Sequence, residues 1–215
     1  MRGLLAGAAA VLAMAFPALA ADAPRNDLRD FRIGMTVPEL PREGYGRFIC
    51  GGDGPFARRL GSWSDYSTCA PDPDGLHEVR FDYTASRVEF VKANEKWGGT
   101  RVFGHPVLVS LLIDAAGAVE GIRILTDPAS RFYMKKKAFL LGERAKLHFG
   151  RDTWECVETP PNAGETPVGG IFRKERCVGR PPERRVRLEI DLYRLPGQSG
   201  RQFVNRTRIE IRRAG

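Results

Sequence analysis

Residues 76–84, LHEVRFDYT, set apolar Val79, Phe81 and Tyr83 against polar Glu78, Arg80 and Asp82. That period of two predicts a strand with one buried face. SRVEFVKA (86–93) shows the same pattern more weakly. Between 106 and 127, Val107 to Ile113 is an apolar run of strand length, Asp114-Ala-Ala-Gly117 supplies a turn, and Val119, Ile122 and Leu125 mark a return strand. The first run is apolar on both faces, which predicts a central strand covered on both sides. Gly121 disturbs the alternation of the second and predicts a bulge.

The period then changes from two to that of a helix. From Thr126 to Gly150, Met134, Ala138, Leu141, Ala145 and His148/Phe149 recur on one helical face. Asp127 or Ser130 is the expected cap, Pro128 fits the first turn, and Gly150 ends the helix. Lys135, Lys136 and Lys137 fall on its solvated side. Four strands are expected after it, at 152–158, 169–177, 184–194 and 202–213. In the last, Arg206 and Arg208 follow Val204 while Thr207 precedes Ile209 and Ile211, a shifted pattern that predicts a bulge or an edge position. Nearer the N-terminus, Thr36 is expected to cap a short helix limited by Pro38 and Pro41, and WSDYSTC (63–69) is expected to be extended.

The pattern also repeats. YGRFIC (45–50) and FGRDTWEC (149–156) both set Gly-Arg shortly before a cysteine. Cys50 aligns with Cys156, Cys69 with Cys177 and Val79 with Val186, and a Pro-containing connector and an alternating strand follow each second cysteine. An internal duplication accounts for these offsets. The expected fold is therefore α+β, two tandem units of helix plus antiparallel sheet spanning 21–126 and 127–215, each with one internal disulfide. Four cysteines permit three pairings; the duplication points to Cys50–Cys69 and Cys156–Cys177. The first unit carries an insertion with Trp97, Phe103 and His105, where the copies diverge and function could reside.

GMTVPEL (34–40), opening a helical segment ahead of an antiparallel sheet, resembles the outer-membrane assembly lipoprotein family SmpA/OmlA, also called BamE. Two tandem helix-plus-sheet units with one disulfide each also resemble the secreted β-lactamase inhibitor protein. Both resemblances imply a protein-binding module rather than an enzyme.

The N-terminus sets the compartment. Arg2 precedes an apolar run from Leu4 to Phe16, and Ala18-Leu19-Ala20 follows. This is the pattern of a cleavable signal peptide over residues 1–20, too short to span a bilayer. The expected destination is the bacterial periplasm, where an even cysteine count reads as disulfides. No later stretch is apolar enough to cross a membrane.

Charge divides the chain. Residues 131–215 hold 20 Lys/Arg and 10 Asp/Glu, against 14 and 16 in residues 1–130. A basic half suits an anionic envelope component or an acidic protein. Arg184, Arg185, Arg187, Arg206 and Arg208 are the candidate contacts for an anionic ligand. Convergence on a pocket would mark a small-ligand site, and dispersal over a sheet a surface contact.

No catalytic set is complete. His77, His105 and His148 stand at no metal spacing from one another or from cysteine. No Ser sits in a Gly-x-Ser-x-Gly elbow. Asp72 and Asp74 in PDPDG lack the rest of a calcium loop and read as a turn; GGDG (51–54) lacks the Lys of a phosphate loop. No metal, cofactor or nucleic-acid partner is expected. Two function classes remain: a non-catalytic interaction protein of the periplasm with an envelope partner, and an enzyme or carrier that binds an anionic envelope ligand through the basic half.

Overall fold

The computed structural model describes residues 26–51, 58–83 and 100–214. The expected leader, the weak strand at 86–93, most of GGDG and Trp97 lie outside them. The described strands are β1 (Tyr45–Cys50), β2 (His77–Tyr83), β3 (Thr100–Val102), β4 (His105–Ile113), β5 (Val119–Thr126), β6 (Trp154–Glu158), β7 (Arg173–Gly179), β8 (Arg184–Tyr193) and β9 (Val204–Arg213); the helices are α1 (Phe132–Lys136) and α2 (Phe139–Phe149).

All nine strands belong to one antiparallel sheet with the order β1-β2-β4-β5-β9-β8-β7-β6. β3 pairs with the start of β4, beside the stretch that β2 leaves open. This corrects the expectation of two tandem helix-plus-sheet units. β5 and β9 pair from Gly121↔Arg212 to Leu125↔Arg208 and fuse the two meanders into one sheet. The physical reason is that each meander would otherwise end in an unpaired edge carrying an apolar row, Ile122 and Ile124 on one and Ile209 and Ile211 on the other. Pairing the two edges satisfies their backbone groups and buries both rows.

The repeat offsets do not place equivalent positions together. Cys177 lies inside β7, whereas Cys69 follows a 3-10 turn outside the sheet. Val79 is on β2, next to the edge strand, and Val186 is on β8, one strand further in. Arg47 sits at a register shift in β1 with φ +52°, whereas Arg151 opens a 3-10 turn after α2.

One face of the sheet carries a continuous core. Its ladder rows run Val109–Ile124–Ile209–Leu188 and Leu111–Ile122–Ile211–Val186, all buried. Over β7–β9 the cover is α2, through Leu141, Gly142 and Ala145. Lys146 pairs with buried Glu175, and Glu143 accepts a hydrogen bond from Arg173 at 2.7 Å, tying α2 to β7. Over β1, β2 and β4 no described α-helix is present. An aromatic cluster stands there instead: Phe31 contacts Tyr45 and Phe81 with ring centroids 4.8 and 4.9 Å apart, and Trp63 contacts Phe81 at 5.1 Å. Each such ring buries about 150–250 Å², so short 3-10 turns at Val37–Glu39 and Trp63–Thr68 suffice as scaffold. Trp63–Thr68 was expected to be extended; Ser62 caps it, and Asp65 accepts hydrogen bonds from the Gly61 and Ser62 amides.

The single helix expected from Thr126 to Gly150 is two helices, and the cap falls at Arg131 rather than at Asp127 or Ser130. Asp127 instead accepts from the Ala129 amide in the turn before α1. The hairpin of β4 and β5 has its register shift next to Gly121, where the bulge was expected. β9 was expected to be bulged or at an edge. It is regular and central, between β5 and β8.

Candidate binding surfaces

Four of the five candidate arginines share one face. Arg185, Arg187, Arg206 and Arg208 alternate with the buried residues of β8 and β9, so they project from the face opposite α2. Arg184 has the opposite parity. Its guanidinium holds Asp27 at 2.5 Å, a structural ion pair that ties the start of β8 to the N-terminal segment. The five do not converge on a pocket.

The shared face is a lattice of alternating charge. Asp191 takes Arg176 at 2.9 Å and Arg206 at 3.7 Å, and Lys174 pairs with Glu165 at 3.1 Å. Arg185 and Arg187 are exposed and form no ion pair with a described residue. No described helix crosses the face over β7, β8 and β9.

Towards β2 the lattice becomes buried. Glu210 contacts three guanidiniums: Arg123, Arg208 and Arg212, each at 2.9 Å. Arg123 also pairs with Glu78 and, at 3.9 Å, with Asp72. Burial by itself would raise the Glu210 carboxyl; Arg212, Arg123 and Arg208 outweigh it and hold the group at about 2. For Arg123, burial works to lower its value, but Glu78 and Glu210 outweigh that and raise it. Both groups stay charged, and this cluster is a fixed part of the fold.

The turn at 72–76 joins it. Asp72 accepts from the Asp74 and Leu76 amides, both at 3.0 Å, the local turn chemistry expected of PDPDG. Asp74 reaches Arg212 at 3.6 Å.

The histidines stand apart. His77 hydrogen-bonds the Cys69 carbonyl through Nδ1 at 2.6 Å, and exposed His148 packs at a tilt against Phe103 with centroids 5.0 Å apart. His105 is buried at the start of β4, where its neutral form is favoured first by burial and then by Arg144, Arg101 and Lys137. The disulfides join Cys50 to Cys69 and Cys156 to Cys177, the two pairs expected within each half. Glu175 lies beside the second bridge. Those sulfurs are already bonded to each other, so the trio is no thiolate metal site.

A cavity of about 160 Å³ lies at the far end of the core, lined in part by His105, Ser130, Lys135, Phe203 and Asn205. The sequence marks His105 through the insertion and Ser130 only as a helix cap; Asn205 and Phe203 are not marked as site residues. The signal was available: Asn205 and Thr207 replace apolar residues on the inward side of β9.

No helix of the described residues is long and apolar enough to cross a membrane. Comparison of the chain with protein-family models, curated proteins and solved structures gave no match.

Proposed function

We propose that the chain is a non-catalytic interaction protein of the bacterial periplasm that docks an acidic protein surface on the open face of β7–β9. The observation that carries this is the exposed pair Arg185 and Arg187, unpaired among the described residues, within a lattice whose other arginines are already matched by carboxylates. A small anion is held by cations that converge. Here strands are about 4.8 Å apart and alternate residues on one face roughly 6.6 Å apart, so the cations spread over an extended plane. A mixed-sign plane selects a partner by charge pattern and register. The signal-like leader and the two disulfides fit an oxidising compartment outside the cytoplasm. The resemblance of GMTVPEL to the BamE family supports the same class, since that family's implied role is protein binding.

A photocrosslinking amino acid at position 187 should give a discrete adduct in the envelope of the producing bacterium. The charge reversal Arg185→Glu should remove it. The same probe at Lys136, on the helical layer, should give no such adduct. Equal labelling at both positions would sink the proposal.

The net charge of residues 131–215 favours one alternative, an anionic envelope ligand held by the same face. Sedimentation with vesicles rich in anionic phospholipid separates the two. Binding that is lost at about 150 mM salt and with the Arg185→Glu/Arg187→Glu double substitution would support the lipid surface.

A further inference from the structure

The inward rows of the sheet lose their apolar character at one end. Along β9 the inward residues run Ile211, Ile209, Thr207, Asn205; along β4 they end Val109, Val107, His105; along β5 they run Ile122, Ile124, Thr126. Thr126 pairs with Val107, so these polar ends lie together. The segment from Asp127 to Ala138 lies over them and with them lines a partly open cavity of about 160 Å³.

Some polar groups here are satisfied by the chain. The Thr207 amide donates to Thr126 Oγ1 at 3.1 Å, and Thr207 Oγ1 donates to the Ala138 carbonyl at 3.0 Å. Four others are not: His105 Nδ1, Ser130 Oγ, and both Oδ1 and Nδ2 of Asn205 are buried without a hydrogen-bond partner. His105 as a whole is only 6% exposed. A buried polar atom without a partner costs free energy. Convergence of four on one partly open cavity is the arrangement of a site whose remaining partners arrive with an occupant.

The lining defines that occupant. A cavity of this size takes about six to ten non-hydrogen atoms, the scale of a site that holds benzene. Met134 and Phe203 give it apolar walls, and Lys135 brings a cation. Arg101, Arg144 and Lys137 add a positive field at His105. Asn205 and Ser130 can donate to a carboxylate, while Asn205 Oδ1 needs a donor in return. Asp127 also lines the space.

We propose that this cavity binds a small organic carboxylate bearing its own hydrogen-bond donor, a 2-hydroxy or 2-amino acid with a short apolar side chain. The carboxylate faces Ser130, Asn205 Nδ2 and Lys135. The hydroxyl or amino group donates to Asn205 Oδ1, and the side chain lies against Phe203 and Met134. The site is independent of the arginine face, because it opens among residues of the opposite, helix-covered side.

The test uses 2-hydroxy-4-methylpentanoate and leucine as probes on the full mature chain, followed by amide NMR shifts. Saturable shifts at Ala138, Asn205 and His105 are expected with a Kd below about 1 mM for at least one probe. Asn205→Leu should weaken that binding at least tenfold, about 1.4 kcal/mol, and Ser130→Ala, a smaller change on a turn, should weaken it in the same direction. A loss of binding counts only if the variant retains the wild-type spectrum away from the cavity; should Asn205→Leu misfold, Ser130→Ala decides. Two results would overturn the proposal. One is no saturable shift with either probe, which would mean a cavity occupied by water alone. The other is binding that a folded variant leaves unchanged.

Discussion

Ile122 on β5 and Ile211 on β9 stand directly opposite one another at the seam between the two meanders, and both are buried. Their contact makes the two halves share one core. Ile211→Ala should cost about 2–5 kcal/mol through lost burial and the cavity left behind. The chain should still unfold in one transition, because damage at the seam is felt by both sides. Calorimetry checks this: the calorimetric and van't Hoff enthalpies should agree. Two separated transitions in the wild-type chain would contradict a single cooperative core.

Gly142 lies against the sheet, where an added Cβ would meet Ile190 Cδ1 first. A Cβ there would lie 2.9 Å from Ile190 Cγ1 and 3.2 Å from Leu188 Cδ1. Helix propensity alone would favour alanine by about 1 kcal/mol. Overpacking wins, since a rigid sheet lies beneath and the helix must lift. Gly142→Ala should destabilise by about 1–3 kcal/mol, seen as a lower denaturant midpoint. Pairing it with Ile190→Val should recover part of the loss, which a pure propensity effect would not do.

Local patterns were legible and distant pairings were not. The alternation in β2 and β8 appears in the sequence because one face of each strand is buried and the other is charged. The Asp114–Gly117 turn was legible for the same local reason: Asp114 accepts from the Ala116 and Ala118 amides. The seam of β5 with β9 joins residues some 87 positions apart, as in the pair Arg123 and Glu210. No short-range pattern specifies it. The Ser62–Asp65 capping box is written in SWSD (62–65), just ahead of and into the stretch that was expected to be extended. In β9, Val204 in register with Arg206 and Arg208, against Thr207, Ile209 and Ile211, looked like a slip of register, because Asn205 and Thr207 make the inward row polar there. The strand is regular, and those two positions differ because one lines a cavity and the other caps the Ala138 carbonyl. Of the arginine set, the sequence alternation separated Arg185 and Arg187 from Val186, but the role of Arg184 depends on Asp27, which no periodicity connects to it.

Glu210 makes stability depend on acidity. Its folded value of about 2 lies below the ordinary carboxylate value of 4.5. A group lowered in the folded state contributes stability that is fully present above the unfolded value and is lost as pH falls through the folded one. The window is therefore from about pH 4.5 down to about pH 2, and the contribution is roughly 3 kcal/mol. Glu210→Gln should be less stable than wild type at pH 7 by about that amount, because Arg123, Arg208 and Arg212 lose their common partner. The two proteins should converge near pH 2. Urea midpoints measured across this range decide it. A difference that stayed constant with pH would mean that Glu210 acts through packing and not through its charge.

The Cys156–Cys177 bridge holds an edge that has little else. Every residue of β6 after Trp154 is exposed, and the strand pairs on one side only, with β7. Cys156 faces Cys177 directly across that ladder. Trp154 alone reaches inward, packing on Gly179 and donating to the Lys146 carbonyl at 3.3 Å. Replacing both cysteines by alanine should therefore loosen β6 first and the sheet second. Amide exchange at residues 155–158 should speed up by several-fold or more while β8 and β9 stay protected, since local opening need not involve the core. The global loss should be about 3 kcal/mol or less, the chain-entropy value for a loop of this length. The Cys50–Cys69 pair should behave differently. Cys69 and Cys177 are equally buried, but Cys50 packs against the core whereas Cys156 is exposed, so loss of the first bridge should lower global stability and protection in β1 and β2 together. Equal effects of the two bridges on global stability and on strand protection would contradict this asymmetry.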